Sequence, residues 1–207
     1  MKDDRTILLK YFPEAAVEHV LRELTEKKSL LHFSKSRRTK LGDYRTPLPG
    51  KPHRISLNHD LNPYEMLITF VHELAHLYTF EKHGRNHQPH GPEWKKCFGQ
   101  LMHSYLELHL FPDDVKKELI HYLYGAKAAN GSDLSLRRVL KNYDNKTSEQ
   151  LVVLETLAQN SCFKTADGRV FQKLEQRTKR FKCLCLNNKR YFLFSPLAVV
   201  EPLRCPN

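Results

Sequence analysis

The longest apolar runs in this 207-residue chain are four residues, as at 151–154 and 191–194. A membrane helix needs about 20, so a membrane-spanning class is excluded. The opening Met1-Lys2-Asp3-Asp4-Arg5 sets two acids ahead of any hydrophobic stretch, and no signal-peptide core follows. Cysteine is scarce and odd in number, five in all, which fits a reducing cytoplasm better than a disulfide framework. On this reading Cys162 and Cys205 are lone residues. Glycine numbers only 8, without any repeat, and a collagen-like chain is excluded with it. What remains is ordinary: 40% hydrophobic and 28% charged residues describe a globular chain long enough for one large domain or two small ones.

Basic residues are in excess, 34 against 23 acidic, for a formal charge of +11. The excess is uneven. Residues 1–130 hold 20 basic and 16 acidic side chains, whereas 131–207 hold 14 and 7. A basic surplus concentrated in the last third suggests a polyanionic partner bound through phosphate neutralisation.

The pattern divides the chain at the same place. Val17, Val20, Leu21 and Leu24 have helical spacing after Pro13, and β-like stretches follow at 30–34, 37–45 and 53–58. Asn62-Pro63-Tyr64-Glu65 announces a helix running to about Lys82 and stopping at Gly84, with Asn as N-cap and Pro at the first helical position. Further helices are expected from Pro92 to about His109, after Pro112, and around Leu136–Tyr143, with a break at Asn130-Gly131-Ser132. From Leu151 onward the chain reads as β-rich, Asp167-Gly168 and Asn187-Asn188 being two-residue hairpin signals. The expected architecture is α+β: a helix-and-sheet domain over 1–130 and a small basic, mostly β domain over 131–207.

The chemistry concentrates in His72-Glu73-Leu74-Ala75-His76. Residues four apart on a helix share a face about one turn apart, so both imidazoles reach one ion. Zinc takes imidazole nitrogen readily, and Glu73 stands beside the first ligand, where a general base for a water nucleophile belongs. Catalytic zinc usually has three protein ligands. The metzincin arrangement needs glycine and histidine where this chain has Thr79 and Lys82, and is excluded. Glu93 and Glu107 are candidates for the third ligand. His90 is the stronger one, because it precedes the helix opening at Gly91-Pro92, whereas His83 and His87 lie in a polar loop.

The pair His72-Glu73-Leu74-Ala75-His76 and His90-Gly91-Pro92-Glu93-Trp94 resembles the SprT-like metallopeptidase family over roughly residues 10–125. The resemblance implies a zincin-like domain with Zn2+ on His72, His76 and His90 and Glu73 as general base. It implies that Trp94 packs the following helix under the site. It also implies that the strand Arg54-Ile55-Ser56-Leu57-Asn58 borders the cleft and pairs with an extended substrate. The implied activity is zinc-dependent peptide hydrolysis, on proteins bound or crosslinked to DNA. No oxyanion-stabilising group is legible beyond the weak candidates Tyr78 and His87. The cysteine pairs of a C-terminal zinc ribbon are not matched. Cys183 and Cys185 would point to one face of a strand, as small core residues do.

In the basic tail, Arg177, Lys179, Arg180, Lys182, Lys189 and Arg190 interleave with Phe181, Tyr191, Phe192 and Phe194. That mixture suits DNA, single-stranded or at junctions. It suits equally a small core of aromatics with a solvated basic face. The rival to a peptidase is a nucleic-acid-binding or regulatory protein with a structural or vestigial zinc site.

Overall fold

A computed structural model describes residues 2–37, 39–124, 132–144 and 151–205, and the chain falls into two compact units, 1–144 and 145–207. The class is α+β. In the first unit α1 (Lys2–Leu8) and α2 (Val17–Glu26) precede β1 (Ser29–Ser34), β2 (Gly42–Arg45) and β3 (His53–Asn58). Then come α3 (Pro63–His83), α4 (Pro92–Glu107), α5 (Asp113–Tyr124) and α6 (Ser132–Leu140). The sheet order is β1-β3-β2, with β1 parallel and β2 antiparallel to β3.

That order corrects one expectation. β3 is hydrogen-bonded on both sides, so residues 54–58 have no edge to offer a substrate. The edge strand lining the cleft is β2, only Gly42–Arg45 of the expected 37–45 stretch. Residues 37 and 39–41 lie outside any strand instead, in a loop. It is tied down by Arg37, whose Nε donates to Asn58 Oδ1 at 2.7 Å, and by Asn58 Nδ2 donating to Lys40 O at 3.0 Å.

α3 is the axis of the unit. Met66, Leu67, Phe70, Val71, Leu74, Ala75 and Leu77 are all fully buried. A helix apolar on most of its circumference is one packed from several sides. Its start is as the sequence reads: Asn62 Oδ1 accepts from Glu65 N at 2.9 Å, with Pro63 beside it. Its end is a positive-φ glycine, Gly84 at 62°, donating to Phe80 O at 2.7 Å. The Asn62 amide also donates to Leu140 O at 3.0 Å and Asp144 Oδ1 at 2.8 Å. These bonds, with buried Leu136 and Leu140, hold α6 in the first unit. The boundary therefore falls after Asp144 rather than at 130. Of the expected break at Asn130-Gly131-Ser132, the first two residues lie outside the described residues and Ser132 begins α6.

The second unit is an antiparallel sheet of β4 (Val152–Val153), β5 (Cys162–Lys164), β6 (Val170–Arg177), β7 (Arg180–Cys185), β8 (Tyr191–Phe194) and β9 (Val199–Leu203), in the order β4-β9-β5-β6-β7-β8. Both expected hairpins are present, with longer turns. Thr165 N bonds Arg169 O at 3.0 Å, leaving a three-residue loop with Gly168 at φ 81°. At the second, Cys185 N bonds Arg190 O at 2.9 Å, and Lys189 rather than an asparagine takes the positive φ, 58°. Asn187 and Asn188 instead accept backbone N–H bonds, from Val170 and Arg190.

Cys162 and Cys205 form a disulfide across 43 residues. β5 and β9 are neighbours, with Cys162 opposite Leu203, so the pairing carries residue 205 back to Cys162. Spacing along the chain could not show this, and the bond removes the cysteine argument for a reducing compartment. Among the described residues no helix is long and apolar enough to cross a membrane.

Lys173 is buried on the inner face of β6. Its ammonium donates to Leu154 O at 3.0 Å, Glu155 O at 3.3 Å and Leu157 O at 2.5 Å, and lies 4.0 Å from the Phe181 ring centre. Burial lowers its pKa, while the carbonyls supply the compensation that a buried cation needs. Lys173→Met keeps the stem and strands the carbonyls. It should cost about 2 kcal/mol, seen as a lower urea midpoint; an unchanged midpoint would show that the cage contributes little.

Candidate metal centre

His72 and His76 stand one turn apart on α3, their ring centroids 5.2 Å from each other. His90 reaches them from a different element. Gln88-Pro89-His90-Gly91 is a turn closed by Gly91 N to Gln88 O at 2.9 Å, with His90 at φ 58°. Proline at the first corner and positive φ at the second define a type II turn, where glycine is the usual occupant. A histidine there departs from backbone preference, and such departures cluster at functional sites. Directly after it, Gly91-Pro92 starts α4.

His90 Nε2 lies 3.0 Å from His72 Nε2 and 3.1 Å from His76 Nε2. One ring nitrogen carries at most one proton and cannot donate to two others at once. A shared cation satisfies all three. Tetrahedral zinc at about 2.0–2.1 Å would separate its nitrogen ligands by about 3.3 Å, close to these spacings. The residues therefore fit the ion. Among the described residues no fourth His, Cys, Asp or Glu joins the group. Glu93 lies along a separate small cavity with Cys97, and Glu107 faces His103 at 3.2 Å.

Beneath the imidazoles Trp94 lies with its ring 4.6 Å from His72, 4.6 Å from His90 and 5.3 Å from His76, and stacks on Phe98 at 4.9 Å. Burial, reinforced by the neighbouring imidazoles, lowers the His72 pKa to about 3 and that of His76 to about 4. Burial also lowers that of His90. All three favour the neutral form that a metal requires. In metal-free protein the same shifts act on stability. Below pH 6.5 the unfolded chain takes up protons that folded His72 refuses, so stability should fall as pH drops from about 6.5 towards 3. The loss is up to about 1 kcal/mol per pH unit from this group. Urea midpoints of metal-free Glu73→Gln protein at pH 7 and pH 5 check it without the opposing titration of the buried Glu73 carboxyl, and an equal or higher value at pH 5 would contradict it.

Glu73 is 6% exposed and lies against β2. Burial pushes its pKa up to about 7, opposed by a hydrogen bond from the Tyr44 backbone N–H. A Cβ on Gly42 would come within 2.6 Å of Glu73 Oε1, 2.7 Å of its Cγ and 2.8 Å of Thr69 Cγ2. Gly42 is thus a part of the site that no motif marks; its only signal is its place at the start of the strand facing α3. Tyr78 is turned away, its hydroxyl donating to Glu23 Oε2 at 2.9 Å. His87 stays outside the three-histidine group, its Nδ1 buried without a partner.

The six cations of the tail do not form one cluster. Arg177 and Arg180 face each other at the β6–β7 turn with Lys179, while Lys189 and Arg190 lie at the β7–β8 turn. These turns are at opposite ends of β7, about 17 Å apart along a six-residue strand. Lys182, between them, lies 3.4 Å from Glu175 and 4.2 Å from the Tyr191 ring centre. Phe181, Phe192 and Phe194 belong to the core, and only Tyr191 of the four aromatics is exposed. Cys183 and Cys185 are buried on the same inner face, with no metal group around them among the described residues.

Two imidazoles on one helix, a third presented by a turn, and a buried carboxylate beside them define an α+β protein with a three-histidine group that could hold a metal ion. Comparison with protein families narrows the class. The model of the SprT-like family matches residues 9–117, just over half of the chain, and the chain belongs to that family. No curated protein and no solved structure matches it. The matched segment contains His72, Glu73, His76 and His90, and ends before α6.

Proposed function

We propose that this protein is a zinc-dependent peptidase of zincin type, with His72, His76 and His90 as metal ligands and Glu73 as general base. The observation that carries the reading is the approach of His90 Nε2 to within 3.0 Å of His72 Nε2 and 3.1 Å of His76 Nε2, beside a buried carboxylate and along an edge strand. Zinc on these residues would supply Lewis acidity towards water and towards a peptide carbonyl.

The chain's own groups supply the rest. Tyr44 holds Glu73 through its backbone N–H, which marks the free side of β2. An extended peptide aligned with that edge brings its carbonyl between β2 and the histidines. Glu73 takes a proton from the attacking water and returns it to the departing amine as the C–N bond breaks. Three ligands, rather than the four of structural sites, support this reading over a structural or vestigial zinc site.

DNA-associated proteins are the substrates we propose. The support is the surplus of eleven basic over five acidic side chains in residues 145–207. Binding through phosphate should weaken steeply between 50 and 200 mM salt.

The test is cleavage of a denatured protein by zinc-loaded material, with and without DNA. Hydrolysis should vanish on chelation and return with one equivalent of zinc. Hydrolysis that survives full removal of metal would overturn the proposal.

A further inference from the structure

The cleft at the histidines continues beyond them. It has a volume of about 700 Å3 and runs from residues 39–44, past His72 and His76, to a far wall made by α6. That far side is lined by Ile68, Phe98, Tyr122, Leu136 and Leu140. Ile68 lies four residues before His72 on α3, hence on the same face and one turn away. Leu136 and Leu140 line the cleft while only 4% exposed, because the rest of each side chain is packed in the core of the first unit.

Glu65 and Arg137 are the charged residues on this side. They are of opposite sign: burial and the Asp144 charge raise the Glu65 pKa, and the Arg137 charge opposes that rise. The pocket therefore presents apolar surface without a surplus charge. The wall is also fixed. Asn62 holds Leu140 O at 3.0 Å while capping the helix that carries His72 and His76. Residues 136–140 fall outside the 9–117 family match, so this wall comes from the chain's own extension.

We infer that Ile68, Phe98, Leu136 and Leu140 form a side-chain subsite that takes a bulky apolar residue of a peptide next to the bond presented to Glu73. The inference rests on the peptidase reading for its substrate class and on the cleft's continuity for its place. The volume of the whole cleft, histidines included, is in the range of pockets that hold a ligand with one large side chain. Apolar lining with internally balanced charge favours phenylalanine, leucine or methionine over charged or small residues.

The experiment uses the zinc-loaded full chain and three peptidyl hydroxamates differing only in one side chain: methyl, isobutyl or benzyl. Affinity is read by calorimetry, without turnover. The benzyl and isobutyl compounds should bind roughly 10- to 50-fold tighter than the methyl compound. Ile68→Trp should erase that advantage by filling the pocket, and the milder Ile68→Phe should reduce it if the first variant does not fold. Equal affinities in the unsubstituted protein, or an advantage untouched by both variants, overturn the subsite. A side-chain preference in a protein that cleaves no peptide leaves the subsite standing and removes the hydrolytic reading. Cleavage with equal hydroxamate affinities does the reverse.

Discussion

Zinc-loaded protein carrying Glu73→Gln is expected to lose hydrolysis by roughly three orders of magnitude while keeping its metal and its fold. The substitution is nearly isosteric. Its amide oxygen still accepts from the Tyr44 N–H, and the tight fit against Gly42 is preserved. What disappears is the ability to take a proton. Because Glu73 is 6% exposed, removing a buried ionisable group should leave the thermal midpoint unchanged or raise it. Steady-state rates, zinc content and a melting curve on the same preparation separate these effects. Activity within tenfold of the unsubstituted protein would remove Glu73 from the mechanism.

The second large effect needs no change to any charged group. Gly42→Ala adds one methyl where Glu73 Oε1, Glu73 Cγ and Thr69 Cγ2 all lie within 2.8 Å. Helix α3 is packed on most sides and cannot retreat, so either β2 lifts or the carboxylate swings aside. Both separate Glu73 from Tyr44 N–H. A displacement of this size should lower kcat about a hundredfold, with zinc content intact because the three atoms nearest the added methyl belong to Glu73 and Thr69 and none to a histidine. Gly99→Ala is the matched control. It is a helical glycine with open space around its missing Cβ, and it should gain up to about 1 kcal/mol of stability with activity unchanged. Equal losses from both would show that Gly42 acts through general stability rather than through Glu73.

How much of this could be read beforehand depends on the range of the cause. The caps of α3 rest on signals within a few residues and stand as the sequence suggests; signals of the same short range single out His72, His76 and His90, which the fold gathers into one group that could hold a metal ion. The role of β2 as the cleft edge was hidden because strand order depends on pairing across the chain, and β3 looked equally strand-like. Gly42, Lys173 and the Cys162–Cys205 bond share that difficulty. Each is explained only by what a distant segment brings to it: Glu73, three carbonyls around residues 154–157, and the return of β9 beside β5. The domain boundary shifted for the same reason. α6 is bound to Asn62, 78 residues earlier.

Asn62 has a practical consequence for dissecting the protein. One side chain starts the helix that bears two imidazoles and holds the end of α6. A fragment cut where the family match ends, at residue 117, would leave that amide's donors without their acceptors and expose the apolar surface that Leu136 and Leu140 cover. The smallest piece that carries the three-histidine group with its surroundings intact therefore ends at Asp144, well past the shared segment.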